Sequence, residues 1–261
     1  MKGLLKLLKK IDYINSPEDI ISADEPFFLK MLAKYYNRRV KAVERASEKK
    51  SFFCKSWKVY FVSFKPAFMK VRLWQTKSKN QKNLNLAQPL LFQQFIFDSK
   101  IFKANGTVLP LSTTINNRFI LLIKGPHQIL AIALSDYLEK TRQIGKKERF
   151  LELAELLATL HLKSKGMIGD SIGRVLVHGD FARENILINQ QGKLWLTDWE
   201  NLRVDWPEYD LACFVRDGMD AYGMKIDDPV NKLFLKVYEE YSGLKINYER
   251  LGQYLKSFKK I

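Results

Sequence analysis

The chain has 261 residues, 46% hydrophobic and 28% charged, with 44 Lys and Arg against 28 Asp and Glu and a formal net charge of +16. That length can bury a full core and suits one two-lobed domain or two small ones, and the composition excludes a disordered or fibrous chain. No apolar run reaches the roughly 18 residues of a membrane span, and the two cysteines, Cys54 and Cys213, stand far apart without metal-ligand spacing, which fits a reducing cytoplasm.

In chain order, Leu4, Leu5, Leu8 and Ile11 fall on one side of a short basic leading helix. Lys9 and Lys10 interrupt its apolar stretch and no small-residue cleavage site follows, so it does not read as a secretory signal. Ser16-Pro17-Glu18-Asp19 predicts a helix start, with a serine cap, proline in the first turn and acids near the positive end, and the helix runs to about Asn37. Residues 40–45, 57–64 and 67–74 are rich in aromatic and β-branched side chains and read as strands, the last two joined by a turn at Lys65-Pro66. A polar linker covers residues 75–83, an apolar helix residues 90–102, and Asn105-Gly106 a turn, before strands at 107–114 and 118–124. Lys124-Gly125-Pro126 then breaks the chain.

Beyond that break the pattern is mainly helical. Phe150, Leu153, Leu157 and Leu160 mark one face of a helix over residues 146–163. Short strands are expected at 174–177 and 186–188, with 193–197 pairing to the second across a Gln191-Gly192 turn. Residues from 209 onward read as helices. The expected division is therefore a β-rich part with leading helices, residues 1–124, and a helical part holding a small hairpin, residues 125–261. Charge divides unevenly as well. Residues 1–105 hold 22 Lys and Arg against 8 Asp and Glu, a balance of +14, whereas residues 106–261 hold 22 against 20, a balance of +2. A one-sided field of this kind favours anionic partners such as nucleotide, glycolipid or a membrane surface; the alternative is a solvated lysine-rich face. The basic part shows no nucleic-acid recognition motif.

The chemistry is concentrated in Val177-His178-Gly179-Asp180-Phe181-Ala182-Arg183-Glu184-Asn185-Ile186, with Asp198-Trp199-Glu200 following thirteen residues after Asn185. Phosphoryl transfer needs a carboxylate to orient the attacking hydroxyl and take its proton, oxygen ligands for Mg²⁺, and a cation on the remaining phosphate charge. Magnesium takes oxygen ligands and usually only one or two protein carboxylates, which suits one Asn and one Asp. Asp180 and Asn185 flank a tight loop leading into the strand 186–188, and the hairpin turn brings the chain back so that Asp198 leaves the partner strand beside that loop. The three groups are expected to converge at one end of the hairpin.

The segment 175–217 resembles the aminoglycoside phosphotransferase and choline-kinase-like family, a branch of the protein-kinase-like fold. Its catalytic loop has His-Gly-Asp-x4-Asn, its metal-binding aspartate sits in Asp-Trp-Glu or a close variant, and Pro207-Glu208-Tyr209-Asp210-Leu211-Ala212 matches a recurring pattern in which the Asp is mainly structural. The resemblance implies an α+β bilobal fold, with a small β-rich N-lobe and a larger helical C-lobe. It implies Asp180 as catalytic base, Asn185 and Asp198 as Mg²⁺ ligands, and His178 as support for the loop. It also implies a lysine on the third strand that grips the ATP phosphates, for which Lys70 in Phe68-Met69-Lys70-Val71 is the candidate ahead of Lys58, Lys65 and Arg72.

Two departures from the family pattern stand out. No glutamate lies between Glu48 and Glu139 to pair with that lysine, so Asp98 is the candidate partner. The stretch 47–56 holds no glycine, so backbone amides with Ser51 or Ser56 are the candidates for phosphate contact. Arg183 has two readings, contact with substrate or phosphate, and a solvated side chain. His161 reads as a packed histidine, His127 as a hinge neighbour, and both cysteines as packing residues. The expected activity is transfer of the ATP γ-phosphate to a hydroxyl of a small molecule or sugar. The alternatives are a lipopolysaccharide core sugar kinase, working at the inner face of a membrane through the basic first part, and a pseudokinase-like nucleotide-binding module.

Overall fold

A computed structural model describes residues 14–15, 25–36, 38–45, 54–75, 120–125, 128–139, 141–144, 149–168 and 173–258. The leading helix, the helix and strand expected between residues 90 and 114, Ser51, Asp98 and His127 lie outside the described residues. Two compact units emerge, one comprising residues 7–90 and 108–139, the other residues 1–6, 91–107 and 140–261.

The first unit is a sheet whose described strands run in the order β1-β5-β6-β4-β3-β2. These are β1 (Ile14–Asn15), β2 (Val40–Arg45), β3 (Cys54–Phe61), β4 (Ala67–Gln75), β5 (Ile120–Lys124) and β6 (Gln128–Asp136). Neighbours are antiparallel except β1, which lies parallel to β5. Helix α1 (Glu25–Tyr36) follows from its apolar spacing: Phe28, Leu32 and Tyr36, four apart, line one face and are all buried. They join Val43, Val59, Met69, Val71, Ile123 and Ile132 in one core. Alternation along β4 buries Ala67, Met69 and Val71 on the side of that core and turns Phe68 and Lys70 to the other face.

Strand β6 departs from the expectation of a helical chain after Lys124. Its run Ile129–Leu134 is nearly all apolar and does not alternate, a pattern shared by a buried helix and a central strand. It is hydrogen-bonded to β4 on one side and β5 on the other, and Ile129, Leu130, Ala131, Ile132 and Leu134 are all buried. The strand pairing carries the first unit on to Glu139.

The second unit is built on α2 (Phe150–Ile168), α3 (Glu208–Tyr222), α4 (Pro229–Ser242) and α5 (Tyr248–Phe258). Leu153, Leu157 and Leu160 of α2 are fully buried, on the face their spacing marks, and Phe150 packs at its edge. Among the helices run short strands: β7 (Arg142–Gln143), β8 (Val175–Val177), β9 (Ile186–Ile188), β10 (Leu194–Leu196) and β11 (Arg203–Asp205). The β9–β10 hairpin has the expected partners, Leu194 opposite Ile188 and Leu196 opposite Ile186. Its turn uses Gly192 at φ +79 and an Asn189 side chain that accepts from the Lys193 amide at 2.8 Å. The partner of β8 is β11, a strand the sequence did not announce because it is three residues of mixed polarity.

Candidate active site

From β8 the chain enters the loop 178–182 and a single 3-10 turn, Arg183–Asn185, before β9. Gly179 has φ +82, and a Cβ there would lie 2.2 Å from the Asn201 carbonyl oxygen, so both backbone conformation and space demand glycine. That close approach seats the loop against the 3-10 turn Trp199–Asn201, which begins just after Asp198. His178 joins the same two segments. Its Nε2 donates to the Thr197 carbonyl at 2.9 Å, and its ring meets the Trp199 ring edge-on at 4.8 Å between centroids.

Asn185 is the hub of the arrangement. Its Nδ2 donates to the Asp180 backbone carbonyl and to Asp180 Oδ2, each at 2.9 Å. Its own carbonyl accepts from the Thr197 amide at 2.8 Å and the Thr197 hydroxyl at 3.0 Å. Asp180 is thus bonded directly to Asn185, and Asn185 is bonded to the immediate neighbour of Asp198. Asp198 itself adopts the left-handed conformation, φ 63 and ψ 58, which swings the chain out of β10 and into the next turn.

Beneath the loop, Asp210 of α3 is fully buried. Its carboxylate accepts from the backbone amides of His178 at 2.7 Å and Gly179 at 2.8 Å. Charge-assisted bonds of this kind are worth about 1.5–3 kcal/mol each. Asp210 therefore holds the segment that carries Asp180, and is not itself among the groups around Asn185. Phe181 fills the space under the same loop, packed against Phe214, which stacks on Phe234 at 3.9 Å.

The sequence pattern described as the phosphotransferase enzyme family matches residues 126–251. The phosphotransferase match spans the catalytic loop, the hairpin and α2 to α4. No curated protein matches the chain by sequence. Solved structures share its fold. A spectinomycin phosphotransferase in complex with ADP and spectinomycin is 13% identical with a TM-score of 0.56, over 88% of this chain and 83% of that one. The choline kinase of Streptococcus pneumoniae is 16% identical with a TM-score of 0.57, over 88% and 84%. An amicoumacin kinase in complex with AMP-PNP, Ca²⁺ and Ami is 10% identical with a TM-score of 0.58, over 84% and 77%. The chain accordingly has the kinase-like fold of these enzymes.

Arg183 is not the solvated side chain of one of its two readings. It is 3% exposed, its guanidinium is ion-paired with Asp217 of α3, and it lies over the Phe214 ring at 4.2 Å. The reason is long range: α3 presents an acid and an aromatic ring at the point where the loop passes. The catalytic loop is thereby fastened to α3 through a side chain as well as through backbone. Asp217 was not singled out from the sequence, where it is one acid among several on an exposed-looking helix. Cys213, on the same helix, is packed as expected, and burial together with the nearby Asp210 charge pushes its thiol pKa far up.

In the first unit, Lys70 and Ser56 are direct cross-strand partners in the β3–β4 pairing, so their side chains share one sheet face, opposite the α1 core. Arg72 pairs with Cys54 further along β4, whereas Lys58 lies over the Tyr60 and Tyr137 rings and Lys65 is in the exposed turn.

The donor set of the second unit fits a divalent cation of the magnesium type. With its nitrogen committed to Asp180, Asn185 has its amide oxygen to offer, and Asp198 adds a carboxylate. Among the described residues no three His, Cys, Asp or Glu side chains cluster as a protein-only metal cage.

Proposed function

We propose that the chain transfers the γ-phosphoryl group of ATP, with Mg²⁺, to a hydroxyl of a small molecule or sugar. The observation that carries this is the pair of hydrogen bonds from Asn185 Nδ2 to the backbone carbonyl and carboxylate of Asp180, on an asparagine whose backbone carbonyl also accepts from Thr197, the neighbour of Asp198. In the reaction the acceptor oxygen attacks the γ-phosphorus, the bond to the ADP oxygen breaks, and the hydroxyl proton passes to Asp180. Asn185 orients the Asp180 carboxylate and, with Asp198, would hold Mg²⁺, which when bound offsets the phosphate charge. His178 orients the turn that carries Asp198. Lys70, with Ser56 beside it, binds the ATP phosphates. The presence of ADP or AMP-PNP in the spectinomycin and amicoumacin enzymes supports the nucleotide. Acceptor spectinomycin and the naming of choline as substrate support a small hydroxyl compound. Asp180→Asn should lower turnover of ATP by at least ~10²-fold while leaving nucleotide affinity within a few-fold. Normal turnover in that variant would remove Asp180 as the base.

A second reading concerns where the acceptor is presented, and one surface favours an anionic membrane carrying a glycolipid. At the β3–β4 turn Val62 and Phe64 are each 54% exposed. Arg38 lies over the Phe64 ring at 4.4 Å, the Val62 amide donates to the Arg39 carbonyl, and Lys65 is exposed beside them. Asp136 is electrostatically coupled to Arg38 and Lys65 of this group; half-burial raises its pKa, against their charges. Apolar side chains ringed by cations suit an interface of acidic headgroups, and the +14 of residues 1–105 adds long-range attraction. The full chain should co-sediment with phosphatidylglycerol vesicles at low salt and not with phosphatidylcholine. The double variant Val62→Glu, Phe64→Glu should bind at least ~10-fold less. Equal binding by the variant would dismiss this surface.

A further inference from the structure

We infer that α2 and α4 together form a face on which a second copy of this chain docks, with α4 of one copy antiparallel to α4 of the other. Eight large hydrophobic side chains are exposed among the described residues, and four of them share this face of the second unit. They are Leu151 and Leu162 on α2 and Leu233 and Tyr241 on α4, each 40–57% exposed. Val237, four residues from each, joins Leu233 to Tyr241 in one stripe. The two helices run antiparallel, side by side. Tyr238 meets His161 Nδ1 at 2.8 Å, and Tyr241, further along α4, donates to Glu155, which lies further back along α2. The second contact puts Tyr241 on the side of α2 that carries Leu151 and Leu162, since both lie within about 40° of Glu155 around the helix. Single hydrophobic side chains are ordinary on a surface, whereas a stripe shared by two packed helices marks a docking face.

Charge identifies the occupant. Because the helices are antiparallel, Glu152 and Glu155 from the start of α2 lie toward the same end of the face as Glu239 and Glu240 of α4. Lys163 and Lys165 lie toward the other end, with Lys232 and Lys236. Asp227 and Asp228 before α4, and Arg149 and Lys245 at the acidic end, reduce each imbalance without reversing it. A face with one acidic and one basic end is complementary to itself when turned end for end. Two copies can meet face to face about a two-fold axis that runs along the stripe or across it. The first sets acids over acids and lysines over lysines; the second sets each acidic end over a basic one. With the axis across the stripe at Val237, Leu233 of each copy meets Tyr241 of the other, and Lys236 reaches Glu240 of the other. Within one copy Glu152 is paired with Arg149, and Lys236 with Glu240 at 3.8 Å; ion pairs this exposed exchange partners at little cost. Residues 106–261 hold 22 Lys and Arg against 20 Asp and Glu, so two copies approaching by this unit meet little like-charge repulsion. The lengths of α2 and α4 give a footprint of roughly 450 Å² per copy, below the ~800 Å² of a standard interface, which makes the dimer a weak one.

Sedimentation velocity of the full chain from about 1 to about 300 µM should show a reversible monomer–dimer equilibrium with Kd on the order of 10–100 µM. Leu233→Glu and Tyr241→Glu, both at exposed positions, should each raise Kd at least ~10-fold, with far-UV circular dichroism and urea midpoint unchanged to show that the fold is intact. Lys236→Glu and Glu240→Lys should each weaken self-association, and an equimolar mixture of the two should associate at least ~10-fold more tightly than either alone. A wild-type chain that stays monomeric at the highest concentration would overturn the inference and leave the stripe to a different occupant. A dimer indifferent to Leu233→Glu and Tyr241→Glu would overturn it as well, by moving the contact elsewhere on the chain. Neither readout uses ATP, so the result stands apart from the proposed phosphoryl transfer.

Discussion

Asp198 carries two demands at one residue, the carboxylate proposed to hold Mg²⁺ and a left-handed backbone for the turn, φ 63. Aspartate tolerates that conformation better than most side chains, at a cost of about 1 kcal/mol. Replacing it by alanine keeps the backbone cost and loses the carboxylate; replacing it by glycine loses both. Both variants should be inactive, and Asp198→Gly should be more stable than Asp198→Ala by about 1 kcal/mol in urea denaturation. Equal stabilities would mean that the backbone at this position carries no strain. The types and spacing of Asp180, Asn185 and Asp198 were readable in the chain because their chemistry uses fixed offsets. The place of Arg183 was not readable, because it depends on Asp217 and Phe214 of a helix some thirty residues away.

At the scale of elements, local signals and tertiary partners contribute unequally. Helix α4 begins where its sequence says it should: Asp228 accepts from the Val230 amide at 2.9 Å, Pro229 occupies the first turn, and Gly243 at φ 64 closes the far end. Since α4 stacks Phe234 on Phe214, which packs against Phe181, its register matters to the loop. Asp228→Ala should destabilise the chain by about 1 kcal/mol, and Asp228→Ser by much less, measured as a shift in urea midpoint at constant slope. Elements without local signals were the ones missed. Strand β6 looks helical until β4 and β5 are placed on either side of it, and β11 is too short to be seen without β8.

For the whole molecule, net charge of +16 with most of it in residues 1–105 makes anions natural ligands, and ATP is the one proposed above. A ligand that binds only the native state at one hundred times its Kd adds about 2.7 kcal/mol of stability. For a chain of this size that should raise Tm by about 5–10 °C with ATP and Mg²⁺. Lys70→Ala should cut the shift at the same ATP concentration, while leaving the unliganded Tm nearly unchanged, because Lys70 lies on the sheet face away from the buried core. An undiminished shift would exclude Lys70 from nucleotide binding.

The amino-acid order by itself determined the mixed architecture, the amphipathic helices and the hairpin, because each of these follows from residue type at short, regular spacing. Which groups face one another was decided only by folding. Asp210 reaches the His178 and Gly179 amides across 32 and 31 residues, and His161 reaches Asp210 across 49. Contacts of that range have no periodicity to betray them. They exist because burying a charge is unfavourable unless donors close around it, and only the packed core of α2, α3 and α4 brings those donors to one point.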